Sequence, residues 1–327
     1  MAFSIRKREG QIMPPYVLVL IIVGAILGMF VVSHFIVSYL IFRKYFGRRS
    51  EKVINDYFLY SHNYDSVRDV LIKNKTDLES LEYSIVETIA YDGIKLVAYY
   101  FPNNSDKTVI FFHGHHANPT GIFGYHAMGA INRGYNVLVV HERAHFSSGG
   151  KYSTFGFREQ HDVLTWINHV KTQYNCKSIY LYGMSMGATS ICLASPNFDN
   201  SIVKAMVVDA AFPSLTKLVK QLAAYFHVPA FAFLWTIKIY AKIFAKLSFN
   251  SFDTTESLQF DNTPTLFIHA TNDTIAIESF FKDNYDKCSS MKKDKLIIKD
   301  GYHAISVVQM GEEALNKIFD FYKKAEE

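Results

Sequence analysis

The longest hydrophobic run of the chain lies near its N-terminus. Residues 16–42 contain no Asp, Glu, Lys or Arg. At 1.5 Å per residue, a helix of this length crosses a hydrocarbon core of about 30 Å. The run is longer than a signal-peptide core, and no small-residue cleavage site follows it. We therefore expect a basic N-terminal tail, residues 1–15, followed by an uncleaved single-pass membrane anchor, residues 16–42.

After residue 80 the pattern changes to short apolar segments that alternate with amphipathic ones. Segments 83–90 and 95–101 flank Asp92-Gly93 and predict an antiparallel hairpin. The later predicted strands are 108–112, 137–141, 178–182, 204–209, 265–269 and 295–299. The predicted helices between and after them are 124–133, 158–172 and 311–323. This alternation predicts an α/β fold with a mostly parallel central sheet and helices on both faces.

Two segments depart from the alternation. Residues 43–80 are polar with short helical patterns, and we expect a juxtamembrane helical connector to the domain that spans residues 81–327. Residues 210–262 contain no clear strand but many aromatic side chains and recurring lysines, which indicates an inserted helical cap. Its aromatic side chains either form core between cap and sheet or line an apolar pocket that partly faces the bilayer, with lysines near the headgroups.

Composition and charge narrow the function classes. The chain has 327 residues, 49% of them hydrophobic, which is enough for a sizeable core. Its net charge of +4 is modest, and no long basic run contains interleaved aromatic residues, so we expect no nucleic-acid partner. Cys176, Cys192 and Cys288 are widely spaced, which predicts neither a disulfide framework nor a zinc site.

The side of the membrane stays open at this point. Basic residues between 43 and 52 slightly outnumber those that precede the apolar run, which favours a cytoplasmic position for the domain. The unpaired cysteines point the same way.

A Gly-x-Ser-x-Gly motif spans residues 183–187, directly after the predicted strand 178–182. Small residues suited to a helix start follow it. At such a strand–turn–helix junction the backbone of Ser185 is strained and its hydroxyl stands above the sheet. Side chains in place of Gly183 and Gly187 would collide with the neighbouring strand and helix. Because the bare pattern also occurs by chance, this context carries the interpretation of Ser185 as a nucleophile.

A serine nucleophile needs a base, and the base needs an acid that orients it. Ligands of such sheets bind at the carboxyl ends of the strands. Asp273 and His303 each follow a late predicted strand by four residues, so we expect His303 to be the base and Asp273 the acid. Asp209, at the end of strand 204–209, is an alternative acid, and Asp273 could instead be a plain turn residue.

Two backbone amides are expected to stabilise the oxyanion. One belongs to Met186, and the other to His115 in the loop that follows strand 108–112. The histidines of this region also allow a metal-binding interpretation: His113, His115, His116, His141 and His145. Since a hydrolytic two-metal site needs several carboxylates close by, we expect neither a metal nor an organic cofactor.

From about Tyr83 to the C-terminus the chain resembles the α/β-hydrolase superfamily, and most closely its membrane-anchored bacterial members in the serine aminopeptidase-like and dienelactone hydrolase-like groups. The matching segments are FFHG at 111–114, HERAHFSSG at 141–149, GMSMG at 183–187, HATND at 269–273 and GYH at 301–303. The resemblance implies an α/β-hydrolase fold, the same triad and oxyanion residues, and a lid between the sixth and seventh strands. In the family, the segment that corresponds to 141–149 usually begins with Asp and has glycine where this chain has Ala144 and Phe146. The loop that carries the acid usually has glycine where this chain has Ala270.

These observations together predict a membrane-anchored serine hydrolase. We expect it to cleave a carboxylic ester, or a related acyl bond, with an apolar acyl part through an acyl-enzyme intermediate. A serine peptidase acting on short peptides is an alternative, in which Asp253 or Glu256 would hold the free amino terminus. A non-catalytic α/β-hydrolase-fold binding protein at the membrane is another. The natural substrate and the oligomeric state stay open.

Overall fold

The computed structural model describes residues 14–327. The basic cluster Arg6-Lys7-Arg8 of the expected tail lies outside the described residues. An eight-stranded sheet with strand order β1-β2-β4-β3-β5-β6-β7-β8 forms the centre of the fold. The strands are β1 (Ser84–Ile89), β2 (Lys95–Phe101), β3 (Lys107–Phe112), β4 (Asn136–His141), β5 (Ser178–Met184), β6 (Val203–Asp209), β7 (Thr265–Ala270) and β8 (Lys293–Ile298).

Strand direction in this sheet agrees with the sequence prediction. β2 pairs antiparallel with both β1 and β4. The remaining neighbours in the sheet, from β4–β3 to β7–β8, are parallel. Gly93 closes the β1–β2 hairpin with a φ of 80°, a conformation that glycine adopts without steric cost. The mostly parallel α/β architecture and all eight predicted strands are therefore confirmed.

Helices cover both faces of the sheet because alternate strand residues point to opposite sides. The helices are α1 (Pro15–Phe46), α2 (Glu51–Tyr60), α3 (Arg68–Glu79), α4 (Pro119–Ile131), α5 (Glu159–Gln173), α6 (Met186–Ala194), α7 (Leu215–Tyr225), α8 (Ala230–Tyr240), α9 (Thr254–Ser257), α10 (Glu278–Lys287), α11 (Ser306–Met310) and α12 (Glu312–Ala325). On one face α3, α4 and α12 pack around Val109 and Phe111. On the other, α5 and α6 pack around Ile110 and Phe112.

Helix α4 begins five residues before the predicted start at residue 124. The side chain of Asn118 accepts a hydrogen bond from the Gly121 N–H at 2.7 Å and caps the helix. Pro119 occupies the first helical position, where its missing N–H costs nothing. The cap and the proline, rather than the apolar pattern, therefore set the start of this helix.

Helix α1 contains the predicted anchor and extends beyond it to Phe46. Within residues 14–327 it is the helix that is long and apolar enough to span a membrane, although a signal sequence would meet the same criteria. Most of its side chains are exposed, but Phe42 and Phe46 at its C-terminal end are buried. This end of α1 therefore belongs to the packed part of the molecule.

The segment between α1 and the sheet is packed more closely than a connector requires. Helices α2 and α3 bury Phe58, Leu71 and Leu78 in the core on the α4 side. A side chain in place of Gly124 would lie 2.7 Å from the backbone nitrogen of Lys75, which shows how closely α3 approaches α4. The expected connector thus contributes to the core of the α/β unit.

The segment between β6 and β7 is helical, where the sequence predicts a cap. It contains α7, α8, a π-helical turn at Ala241–Ala245, and α9. Some of its apolar side chains, such as Leu218 and Ile237, join a cluster with Phe42 and Phe46 of α1. Others, such as Phe231, are exposed. The cap segment thus contains both buried and exposed apolar side chains.

Candidate active site

Ser185 occupies the turn between β5 and α6 with a φ of 53°, in the strained conformation that the motif predicts. A side chain on Gly187 would lie 2.0 Å from the carbonyl oxygen of Phe112, and one on Gly183 would lie 2.6 Å from the backbone of Ala188. The Ser185 N–H donates to the carbonyl oxygen of Asp209 at 2.7 Å. The two glycines therefore let β5 and α6 approach closely enough to present the serine.

Three of the predicted site residues form a continuous hydrogen-bonded chain. His303 Nε2 lies 3.1 Å from Ser185 Oγ, and His303 Nδ1 lies 2.7 Å from Asp273 Oδ2. A neutral imidazole protonated on Nδ1 satisfies both contacts, since it donates to the carboxylate and accepts from the serine hydroxyl. The arrangement has the geometry in which histidine can take the serine proton.

The acid and base loops are fixed to each other. The second carboxylate oxygen of Asp273 accepts hydrogen bonds from the N–H groups of Ile275 and Ala276, each at 2.8 Å. The Asn272 N–H donates to the carbonyl oxygen of Gly301 at 3.0 Å, which ties the loop after β7 to the loop after β8. Charge-assisted bonds from backbone amides hold the buried carboxylate in the orientation that His303 needs.

Asp209, the alternative acid, has a different partner. Its Oδ2 accepts a hydrogen bond from the Tyr182 hydroxyl at 2.8 Å. Burial raises the pKa of Asp209 to about 7, so near neutral pH much of this carboxyl is uncharged. Because His303 contacts Asp273 and an uncharged acid would stabilise an imidazolium poorly, the geometry favours Asp273 as the orienting acid.

The electrostatic environment of His303 suits a base. Its side chain is 23% exposed. Burial lowers the pKa of His303, but the charge and hydrogen bond of Asp273 outweigh burial and raise it above the usual histidine value. Asp209 adds a smaller contribution only in its ionised form. The nearby carboxylate thereby stabilises the imidazolium that would form when serine gives up its proton.

The loop after β3 approaches the nucleophile directly. A side chain on Gly114 would lie 3.3 Å from Ser185 Cβ, so the peptide that follows Gly114, which carries the His115 amide, is close to the serine. Met186 is the first residue of α6, and its N–H has no acceptor within the helix. Both amides that the sequence predicts for the oxyanion hole therefore belong to backbone next to Ser185.

Histidines near the site hold backbone together, a role that sequence reasoning missed. His113 contacts the Gly114 carbonyl oxygen through Nδ1 at 2.7 Å and accepts the Glu142 N–H through Nε2 at 3.1 Å. His145 accepts the His116 N–H at 2.9 Å, and its other nitrogen contacts a second carbonyl oxygen at 2.8 Å. Burial lowers the pKa of His145 to about 4, which keeps it neutral. With their ring nitrogens engaged, these two histidines are poorly suited to bind a metal.

The metal interpretation finds no further support in residues 14–327, where no group of three or more His, Cys, Asp or Glu side chains is arranged to hold an ion.

Two positions where the family usually has glycine keep the backbone that glycine favours. Ala144 has a φ of 60° and Phe146 a φ of 42°. The Ala144 N–H donates to the carbonyl oxygen of Gly149 at 2.7 Å, and the Arg48 guanidinium donates to the Phe146 and Ser148 carbonyl oxygens. These bonds stabilise a turn that costs more with side chains than with glycine. Arg48 follows α1 directly, so the N-terminal segment helps to hold this loop.

Comparisons with known proteins agree with this fold. No protein-family model matches the sequence. The uncharacterized protein YqkD of Bacillus subtilis (strain 168) is 27% identical over 252 residues, which cover 72% of this chain and 80% of that protein. The esterase Pf2001 of Pyrococcus furiosus is 26% identical, covers 76% of this chain and 93% of its own, and superposes with a TM-score of 0.64.

Two more distant solved structures show the fold alone. The α/β hydrolase GrgF of a Penicillium species is 18% identical, covers 75% of this chain and 99% of its own, and has a TM-score of 0.60. The esterase EaEST of Exiguobacterium antarcticum is 16% identical, covers 73% of this chain and 100% of its own, and has a TM-score of 0.57. The chain therefore has an α/β-hydrolase fold, and the solved structures similar to it include several esterases.

Proposed function

We propose that this protein is a membrane-anchored serine hydrolase that cleaves carboxylic esters with an apolar acyl part. The observation that carries the proposal is the hydrogen-bonded chain from Ser185 through His303 to Asp273 at a strained strand–helix turn. Its structural relatives include esterases, which supports the same bond class. The chemistry follows from the site geometry.

Ser185 Oγ attacks the acyl carbonyl while His303 Nε2 accepts its proton. Asp273 keeps the imidazole in the tautomer that presents a free Nε2 and stabilises the imidazolium. The Met186 and His115 amides hydrogen-bond the carbonyl oxygen as it gains negative charge. His303 returns the proton to the leaving alcohol. Water then attacks the acyl-enzyme while His303 accepts a proton from it, and His303 gives that proton to Ser185 Oγ as the carboxylic acid is released.

The C-terminal end of α1 supports a retained anchor over a cleaved signal sequence. Phe42 and Phe46 are buried in one cluster with Leu218 and Ile237 of the cap. Cleavage after the apolar run would remove part of this cluster and expose its apolar partners. Retention keeps the apolar surface buried, which is worth roughly 1.5–3 kcal/mol for each fully buried large side chain.

The surroundings of Asp253, one of the two candidate amino-terminus ligands, favour an ester over a short peptide. Asp253 caps α9, where its carboxylate accepts the Thr255 N–H at 2.9 Å and the Thr255 hydroxyl at 2.7 Å. It is thus engaged in local structure. The cap instead presents apolar side chains to the cluster that contains Met186, as an acyl chain would require.

Hydrolysis of a short p-nitrophenyl ester by the purified full chain tests the proposal. We expect Ser185→Ala to lower kcat by about 10⁶ relative to wild type, the scale found when a triad serine is removed. Near-ultraviolet circular dichroism of both proteins controls for folding. Wild type without activity on esters or thioesters would make a non-catalytic binding protein the better assignment.

A further inference from the structure

The end of α1 is joined to the loop that carries the predicted oxyanion amide. His116 Nε2 lies 3.1 Å from the carbonyl oxygen of Gly47, the residue that ends the helix. The Ser153 N–H donates to the Phe46 carbonyl oxygen at 2.8 Å, and Gly47 pairs with Tyr152 in an isolated β-bridge. The apolar helix and the candidate active site therefore form one structural unit rather than an anchor and a separate enzyme.

An apolar cavity of about 250 Å³ lies between the end of α1 and the cap. Ile41, Tyr45 and Phe46 of α1 form one wall together with Lys44, and side chains of α7, α8 and the loop between them form most of the others. Phe155 closes the side nearest the site, where its ring stacks on the His115 ring with centroids 4.5 Å apart. One aromatic ring thus separates the cavity from the residue that carries the predicted oxyanion amide.

The other side of the cavity opens on an exposed apolar surface. Phe226 and Val228 both line the cavity and are exposed. Phe231 on α8 is 83% exposed, and Trp235, one turn further, is half exposed. Exposed apolar patches of this kind mark contact with another apolar phase.

The position of this surface along α1 points to the bilayer as that phase. From Pro15 to Phe42 the helix is about 42 Å long at 1.5 Å per residue, roughly 12 Å more than a hydrocarbon core needs. Helix α8 packs along the C-terminal part of α1, within this extra length. Thr236 Oγ1 lies 2.8 Å from Ser38 Oγ, and the Tyr240 hydroxyl donates to the Phe35 carbonyl oxygen at 3.0 Å. Arg43 and Lys44 follow, where cations meet lipid headgroups.

From these features we infer that the cavity binds the hydrocarbon chain of a membrane lipid ester, which enters from the bilayer between α1 and the cap and extends toward Ser185. Helix α1 would then be a wall of the acyl site as well as an anchor. The inference rests on the proposed function, because it needs Ser185 to be the nucleophile. It narrows the substrate from esters in general to membrane-resident amphiphiles.

Substitutions on α7 test the site by filling it. Ala223 lines the cavity, whereas the adjacent Ala224 is exposed outside it. In full-length protein reconstituted in phosphatidylcholine nanodiscs, inactivation rates are measured with an ethyl-chain and a hexadecyl-chain fluorophosphonate. These probes react with an activated serine whatever acyl bond the natural substrate contains. We expect Ala223→Phe to lower the hexadecyl-to-ethyl rate ratio at least about tenfold, and Ala224→Phe to leave the ratio as in wild type.

The outcomes separate the inference from the proposed function. Labelling of wild type by both probes with the same ratio in Ala223→Phe would overturn the acyl site and leave the serine hydrolase intact. No labelling of folded wild type by either probe would overturn both. If Ala223→Phe does not fold, Val219→Phe fills the same cavity from the preceding turn and should lower the ratio in the same way.

Discussion

The sheet region and the α1–cap region are both rich in apolar side chains. The sheet region buries them, whereas the α1–cap region leaves many of them exposed. The two tryptophans of the chain show the difference, since Trp166 in the α5 face of the sheet is 0% exposed and Trp235 on α8 is 50% exposed. Burial on folding accounts for the first environment. The second leaves apolar surface in water unless another apolar surface covers it, and its place beside α1 supports our proposal that a bilayer covers it.

The two regions also differ in function: the sheet region carries the candidate catalytic residues, and the α1–cap region forms the proposed route for the substrate. Ser185, Asp273 and His303 all follow strands of the sheet. The α1–cap region contributes the cavity walls and the exposed apolar surface. Changes at the sheet should therefore affect every substrate, whereas changes at the cap should affect substrates according to chain length.

The largest effect that sharpens this comparison is expected at the acid. Asp273→Asn should lower kcat by about 10⁴ for short and long esters alike, because the amide favours the wrong imidazole tautomer. Asp209→Asn is the matched control and should change kcat little, since Asp209 is bonded to Tyr182. Steady-state kinetics of the two variants distinguish Asp273 from Asp209 as the acid. A large loss of kcat in Asp209→Asn and a small one in Asp273→Asn would assign the acid to Asp209.

The pH dependence gives a smaller effect with a fixed sign. Catalysis needs neutral His303, so kcat/KM should rise with pH and level off above the pKa of His303, which lies above the usual value of about 6.5. Below that pKa the rate should fall about tenfold per pH unit. In Asp273→Asn the midpoint should move to lower pH, because the anion that raises the pKa is gone. A midpoint that stays in place would contradict the assigned pair.

The smallest signal, which tests the other region, is fluorescence quenching by brominated phospholipids. In reconstituted protein, Trp235 should be quenched because the proposal places this exposed side chain against the bilayer, whereas the buried Trp166 should not be quenched. Trp235→Phe leaves only Trp166 and serves as the control. Equal emission in brominated and ordinary lipid would show that the exposed cap surface lies outside the bilayer.

Local signals explain what the sequence could predict. Strands were evident from short apolar runs, and the turn at Ser185 from two glycines whose side-chain space is filled by neighbouring backbone. The positions of Ser185, Asp273 and His303 just after predicted strands pointed to residues that the structure brings together, although Asp209 stayed open as an alternative acid. Such features depend on a few consecutive residues and on strand ends that meet at one edge.

Features that depend on distant packing escaped the sequence analysis. The sequence indicated short helices in the segment that contains α2 and α3, but not that they pack into the core. Their buried residues, among them Phe58 and Leu71, are too few to form a clear apolar pattern. The ring contacts of His113 and His145 with backbone require loops far apart in sequence to meet. The cavity between α1 and α7 joins segments about 180 residues apart, and no local pattern encodes it.

The identity of the nucleophile is the central claim, and mass spectrometry of a fluorophosphonate adduct tests it most directly. Full-length wild type is labelled in detergent, digested, and the modified peptide sequenced. We predict a single adduct on Ser185, lost in Ser185→Ala and strongly slowed in Asp273→Asn. An adduct on another residue, or folded protein that does not react, would contradict the account.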